Sequence, residues 1–182
     1  MSLNDREQKH AQRSRCLYKS NFMATEMHNL SAYDASKVAD GKGRKVGIVY
    51  AEWNNEITYA LRDGAVQTLV ANGVNKDDID LRSVPGSFEL IFGAAQMVKS
   101  GRYDSVIAIG CVIRGDTPHF DYICEGVTAG LSKLNVEYDV PVIFGLITTN
   151  NLLQAQERSG GRLGNKGDEC AVTALQMMDQ FK

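Results

Sequence analysis

The segment from Tyr103 to Ile113 restricts the possible folds more than any other part of the chain. From Val106 onward it is a continuous apolar run, in which polar side chains do not alternate with apolar ones. A strand of this composition is buried on both faces, as at the centre of a parallel sheet. Because parallel strands need crossover connections, which are usually helical, the run predicts an α/β protein.

The rest of the chain repeats the pattern of a strand followed by a helix. Apolar, β-branched runs predict the strands, and segments with helical spacing or helix-start signals follow each of them. The predicted strands are Val46–Ala51, Asp78–Val84, Tyr103–Ile113 and Val140–Thr148. This alternation predicts an α/β fold, a three-layer αβα sandwich around a four-stranded, parallel, flavodoxin-like sheet.

The chain of 182 residues fits one domain preceded by an extension. Residues 1–43 are predicted to be a mobile N-terminal extension, because Asp5–Arg15 is dense in charged and amide side chains and residues 39–43 look like a turn-like linker. Residues 44–182 are the predicted domain. Met23 is an alternative start of the protein that the sequence leaves open.

Composition excludes several classes of function. A net charge of −2 gives no reason to expect nucleic acid or a membrane as a partner. No apolar run is long enough to cross a bilayer, and the N-terminus lacks the apolar core of a signal peptide, so a cytoplasmic location is expected. The four cysteines (Cys16, Cys111, Cys124 and Cys170) form no Cys-x-x-Cys pair and are interpreted as small buried thiols rather than metal ligands or disulfides.

The turn after the central strand, Gly110–Tyr122, combines features of a phosphate site with a titratable side chain. Thr117 is predicted to cap a helix whose first residue is Pro118, which places His119 in the first turn. Free N–H groups at a helix start bind anions such as phosphate. The alternative interpretation is a capped loop with an incidental exposed histidine.

Two other turns are expected at the same edge of the sheet, because they also follow strands. Trp53 is interpreted either as a packing residue or as a ring that stacks on a flat heterocycle. Ser87 is a predicted helix cap, whose exposed N–H group and that of Phe88 can bind a polar ring edge. Glu89 lies in the first turn of the predicted helix, where the helix dipole favours a carboxylate, so a structural role explains this residue as well as a binding role does.

A basic cluster near the C-terminus consists of Arg158, Arg162 and Lys166 among several glycines. A solvated basic loop is the plainer interpretation. Arginine binds phosphate bidentately, and glycines let the backbone approach a ligand, which favours a binding role. Arg158 also closes a short helix, where a cation complements the dipole.

These stretches together resemble the 6,7-dimethyl-8-ribityllumazine synthase family. The matching residues are Trp53–Asn54, Val84–Leu90, Gly110–Tyr122, Pro141–Gly145 and Arg158 through Asn165–Gly167. They occur in the family's order and span about Lys45 to Phe181, with no evident gap. The resemblance says nothing about residues 1–43.

The resemblance implies a transferase of riboflavin biosynthesis. Its members condense 5-amino-6-(D-ribitylamino)uracil with 3,4-dihydroxy-2-butanone 4-phosphate and release phosphate and water, in the penultimate step of that pathway. The implied partners are these two small molecules and further copies of the chain, with no cofactor and no metal. Family members are pentamers, some of them assembled into icosahedral shells, with sites shared between neighbouring subunits.

The resemblance also implies roles for individual residues by motif position. His119 is the implied proton-transferring residue. The implied substrate-binding residues are Trp53 on the pyrimidine ring; Ser87, Phe88 and Glu89 at the ribityl chain and ring edges; Cys111, Val112 and Ile113 as a backbone wall; Asp116 and Thr117 at the phosphate; and Phe144, Arg158 and Lys166 from the adjacent subunit. Asp116 stands where the family often has a small residue, so its contact is expected through its N–H group.

Two other functions remain open from the residues. A flavodoxin-like module that binds a flavin or nucleotide without turnover shares the sheet and the phosphate turn, but it does not call for His119 together with a distant Arg158. A purely structural shell subunit suits the nearly apolar second helix, but it leaves a polar pocket without a purpose.

Overall fold

Four strands pair into one parallel sheet in the computed structural model, which describes Asn29 and residues 31–181. They are β1 (Val46–Ala51), β2 (Ile79–Val84), β3 (Ser105–Ile113) and β4 (Val142–Thr149), in the order β2-β1-β3-β4. The predicted central position of β3 is confirmed, and its first seven residues are buried. The predictions about Asp5–Arg15 and Met23 lie outside the described residues.

Helices cover both faces of this sheet, so the predicted three-layer sandwich is confirmed. They are α1 (Asn55–Ala71), α2 (Leu90–Lys99), α3 (His119–Glu137), α4 (Leu152–Glu157) and α5 (Lys166–Gln180). α1 and α5 bury their apolar stripes in one core cluster, and α2 and α3 do so in the other. No helix in the described part of the chain is long and apolar enough to span a membrane.

The glycine-rich segment before α5 was predicted to be a loop, and that prediction is wrong. It forms an antiparallel ribbon of β5 (Ser159–Gly161) and β6 (Gly164–Asn165). Gly160 and Gly164 have φ angles of 109° and 83°, which non-glycine residues rarely adopt. Glycine therefore permits the tight return of the chain between Arg158 and Lys166.

The crossing of α1 and α5 needs glycine for a different reason, which is close approach. A Cβ on Gly167 would lie 1.9 Å from the carbonyl oxygen of Leu61, and one on Gly64 would lie 2.5 Å from Nδ2 of Asn165. The side chain of Asn165 accepts a hydrogen bond from the Gly167 N–H and donates one to the Ala60 carbonyl. This crossing fixes the ribbon and the start of α5 against α1.

The described part of the predicted extension contacts the domain. The N–H of Asn165 donates to Oγ of Ser31 at 2.8 Å, and the amide of Asn72 donates to the hydroxyl of Tyr33 at 3.3 Å. Val38 and Ala39 pack against the core cluster of α1 and α5. Residues 31–43 thus run along that face of the sandwich.

The strand order places a crevice between β1 and β3. The chain leaves β1 toward β2 on one side and later enters β3 on the other, and ligands in doubly wound sheets bind outside the carboxyl ends of strands at such a point. The pairing of β1 with β3 ends at Tyr50 and Ile109, so β3 continues to Ile113 beside no strand on that side.

Candidate active site

A cavity of about 670 Å³ lies at this crevice. Its walls come from the turns after β1, β2 and β3 and from the first turns of α3. The sequence-predicted residues that line it are Trp53, Ser87, Phe88, Glu89, Cys111, Val112, Ile113, Thr117 and His119. Asp116, Phe144, Arg158 and Lys166 are not among the residues that line it.

The carbonyl group of Cys111 joins the three turns that form the cavity. The amide of Asn54 donates to it at 3.0 Å, and the hydroxyl of Ser87 donates to it at 3.5 Å. These two side chains satisfy an acceptor that β1 is too short to reach. The N–H of Trp53 also donates to the carbonyl of Pro85 at 3.1 Å, so the loops after β1 and β2 are held to each other.

This arrangement corrects the predicted helix cap at Ser87. Ser87 makes no capping bond, because α2 begins at Leu90 and its cap position is Glu89. Asn54 occupies the cap position of α1, but it makes no capping bond and reaches Cys111 instead. Its φ of 58° is left-handed, a conformation that asparagine adopts more readily than most residues. Asn54 was missed as a site residue, and its place directly after Trp53 was the only signal.

Replacement of Asn54 tests whether this amide holds the site together. We expect Asn54→Ala to lower the free energy of unfolding by about 1–2 kcal/mol, because it removes a donor to a buried carbonyl and keeps a Cβ in the left-handed region. Asn54→Gly should cost less, because glycine adopts positive φ without strain. Urea denaturation of the two variants measures the difference. Equal losses would show that backbone strain has no part, and no loss in Asn54→Ala would contradict the role of the amide.

Aromatic rings stand open at the mouth of the cavity. Trp53 is 73% exposed and Phe88 is 51% exposed, although both are large apolar side chains. The interpretation of Trp53 as an ordinary packing residue is therefore wrong within this chain. An exposed planar ring that lines a cavity is suited to stacking on a heterocycle.

His119 is the first residue of α3, lines the cavity and is exposed to solvent. The predicted Thr117 cap is wrong, because the cap position is Pro118 and no side chain caps this helix. The N–H groups of His119 and Phe120 therefore have no acceptor among the described residues, as anion binding at a helix start requires.

Cys111 contributes its backbone to the cavity rather than a reactive thiol. Burial raises the pKa of the Cys111 thiol to about 12, so the nucleophilic thiolate is not formed at neutral pH. Burial likewise raises the pKa of Cys170 to about 12, and that side chain lies in the core between β4 and α5. The prediction of small buried thiols is confirmed for these two, Cys124 is half-buried, and Cys16 lies outside the described residues.

The basic cluster lies on the ribbon and the helix ends beside it. Arg162 pairs with Glu157 at 3.2 Å, and Lys166 pairs with Glu169. Arg158 is the one cation of the three with no ion pair to a described carboxylate, since its guanidinium donates to the carbonyl of Gln154 at 3.0 Å. That bond closes α4, as the sequence suggested. Arg158 is therefore the member of the cluster whose charge is available to an anion.

Phe144 lies on β4, which is an edge strand of the sheet. The residues two before and two after it, Val142 and Leu146, are buried in the core of α2 and α3. Phe144 itself is 40% exposed and does not line the cavity of its own chain. Within a single chain, Phe144 and Arg158 are thus separate from the cavity.

The fold is an α/β fold of flavodoxin-like architecture, with a cavity at the β1–β3 crevice, the place where proteins of this architecture bind ligands. The model of the 6,7-dimethyl-8-ribityllumazine synthase family matches residues 43–182, and the chain belongs to that family. A protein of that name from Phocaeicola vulgatus is 60% identical over 86% of this chain and 94% of its own length. The protein of that name from Porphyromonas gingivalis is 57% identical over 85% of this chain and 96% of its own length. The one from Flavobacterium johnsoniae is 50% identical over 85% of this chain and 82% of its own length.

Proposed function

We propose that this protein condenses 5-amino-6-(D-ribitylamino)uracil with 3,4-dihydroxy-2-butanone 4-phosphate to form 6,7-dimethyl-8-ribityllumazine. The reaction is the penultimate step of riboflavin biosynthesis, and the protein acts as a transferase. The observation that carries the proposal is the cavity at the β1–β3 crevice, where a stacking ring, an unpaired strand edge and His119 meet. The family membership supports the same reaction.

The uracil ring is bound between Trp53 and the end of β3. Successive residues of a strand point their backbone groups to opposite neighbours, and Arg114 donates its N–H to β4, so the N–H and C=O of Ile113 face the side that β1 has left. These groups match the alternating acceptors and donors of a uracil edge. Val112 lies in the same wall, and Ser87, Phe88 and Glu89 lie along the ring edge and the ribityl chain.

The phosphate is bound at the start of α3. Gly115, Asp116 and Thr117 lead into that helix, and its first N–H groups have no side-chain cap. Asp116 contributes its N–H, because its carboxylate would repel the phosphate. The N–H groups and the positive end of the helix dipole favour a dianion there.

The chemistry needs protons to move near neutral pH. The aromatic amine of the uracil attacks the ketone and water is lost, which gives an imine; deprotonation of the carbon chain then expels phosphate. The ribityl-bearing nitrogen closes the ring on the resulting carbonyl group, and loss of a second water gives the lumazine. His119 takes and returns the protons of these steps, because it lines the cavity and histidine is the most frequent general acid and base in enzymes.

A second copy of the chain completes the site. Arg158 has no carboxylate partner among the described residues, Phe144 is an exposed ring, and neither lines the cavity of its own chain. We place Arg158 at the phosphate, Phe144 on the ring pocket and Lys166 nearby, all from the adjacent subunit. The assembly is proposed to be a pentamer, alone or within an icosahedral shell, and its location to be cytoplasmic. Sedimentation of the purified protein measures the assembly, and a monomer would contradict it.

The direct test mixes the protein with both substrates and follows the fluorescence of the lumazine. Formation well above the uncatalysed rate is the expected result. Product only at the uncatalysed rate would contradict the proposal. Binding of a flavin or nucleotide without turnover would then favour the non-catalytic binding module.

A further inference from the structure

The loop between β3 and α3 carries the proposed phosphate site but has little to hold it in place. None of the side chains at positions 115–118 makes a hydrogen bond or ion pair within the described chain, and a Cβ on Gly115 would meet nothing within 4 Å. Residues 115–118, between Arg114 and α3, are all exposed to solvent. Within the described chain, the hydrogen bonds and ion pairs that can fix its shape lie at its two ends.

Arg114 contacts structure on both sides of this loop. Its N–H donates to the carbonyl of Thr149 at 2.8 Å, which fixes the end of β3 to β4. Its guanidinium carbon lies 4.1 Å from the centre of the Phe120 ring. Its Nη2 donates to Oδ1 of Asp121 at 3.1 Å. Arg114 therefore bridges the loop: its backbone is fixed to the end of β4, and its side chain reaches the first turn of α3.

We propose that Arg114 is a positioning residue, which clamps the loop 115–118 between β4 and α3 and thereby sets the places of the phosphate and of His119. This inference rests on the proposed function for its kinetic consequence, but the clamp itself does not. Phe120 lines the cavity, so the clamp also fixes one of its walls. A planar guanidinium that stacks on a ring and pairs with a carboxylate is used here in a way that lysine cannot fully reproduce.

Direct binding of phosphate by Arg114 is the competing explanation. The geometry favours the clamp, because the guanidinium already lies on a ring and on a carboxylate, and that carboxylate would oppose an incoming anion. The two explanations differ in what Asp121 does. In the clamp, Asp121 is a necessary partner; in direct binding, it is a competitor of the phosphate.

Steady-state kinetics of Arg114→Met, Asp121→Asn and the double variant separate these explanations. We expect each single variant to lose about 10-fold in kcat/KM, because small displacements of reacting groups have effects of this size. The double variant should be no worse than either single one, since both remove the same contact. Arg114→Lys should recover part of the loss. An Asp121→Asn variant with unchanged or improved KM for the butanone phosphate would overturn the proposal in favour of direct binding.

The distribution of the loss separates positioning from general instability. The loss should appear in kcat and in KM for the butanone phosphate, whereas KM for the ribitylaminouracil should stay near its original value. That substrate is bound by Trp53, the turn after β2 and the end of β3, and the Arg114 side chain contacts none of them. The backbone bond from Arg114 to Thr149, which fixes the end of β3, remains in Arg114→Met. An equal rise of both KM values would overturn the positioning role.

Hydrogen exchange of the purified protein tests the clamp without turnover. Amides of residues 115–121 should exchange faster in Arg114→Met and Asp121→Asn. Lys133→Met is the matched control, because Lys133 pairs with Glu137 at 3.5 Å on the exposed face of the same helix, and it should leave that exchange and the activity unchanged. Unchanged exchange in Arg114→Met would overturn the clamp, even if the protein forms lumazine. Absence of lumazine formation in the original protein would contradict the proposed function but not the clamp.

Discussion

Arg158→Ala should weaken use of the butanone phosphate by about 2–3 kcal/mol, or roughly 30- to 150-fold in kcat/KM. The reason is that Arg158 alone in its cluster keeps a guanidinium without a carboxylate partner among the described residues. A phosphate dianion accepts bidentate hydrogen bonds from such a group. Steady-state kinetics at saturating ribitylaminouracil measure the effect.

Arg162→Ala is the matched control for this prediction. Arg162 has the same chemistry and lies on the same ribbon, but it is paired with Glu157 on the surface. An exposed pair of this kind contributes little, so activity should change by less than about 2-fold. If Arg158→Ala left both the Michaelis constant and the turnover unchanged, Arg158 would be removed from the site. An equal loss in Arg162→Ala would indicate that the whole cluster acts through its net charge.

His119→Ala should slow the reaction by roughly 10- to 100-fold, with a smaller effect on binding of either substrate. This is at or below the usual contribution of a general acid–base residue, because the amine and imine steps proceed slowly unaided. The exposed position of His119 means that the variant should fold normally. A variant with full rate would leave His119 with only a structural role.

Mixing these two impaired variants tests whether the site is shared between subunits. If each site takes His119 from one copy and Arg158 from its neighbour, random mixed assemblies contain about a quarter of sites with both residues intact. Activity should therefore return when Arg158→Ala and His119→Ala are co-assembled. If both residues served the cavity of their own chain, no mixed assembly would contain an intact site. The activity of the mixture would then stay at the average of the two single variants.

The sequence predicted the layers of this fold well, because burial on both faces leaves a clear pattern in β3. β1 was predicted residue for residue, and the other strands within a few residues. The ribbon at Ser159–Gly161 was missed because glycine has no side chain to produce a period, and its pairing depends on a return of the chain that only the folded backbone reveals.

The candidate site was likewise predicted only in part. The turns that line the cavity follow strands, and the carboxyl ends of parallel strands meet at one edge, so Trp53 and His119 were placed correctly at the cavity. The hydrogen bonds of Asn54 and Ser87 were not foreseen, because both residues are also good helix caps. Their actual acceptor, the Cys111 carbonyl, is free to accept these bonds only because the pairing of β1 with β3 ends before it.

That difference in strand length has a consequence for what the cavity can accept. Beyond Ile109, β3 is an open sheet edge on the side of β1, with backbone groups that no strand pairs. Asn54 and Ser87 satisfy only the first of these groups, the carbonyl of Cys111. A flat ring whose rim carries an amide can replace the next peptide group and continue the hydrogen-bond ladder for about one residue. We therefore expect the pocket to select its heterocycle by the same hydrogen-bonding rule that pairs strands, and to reject rings of equal size whose rim lacks that amide.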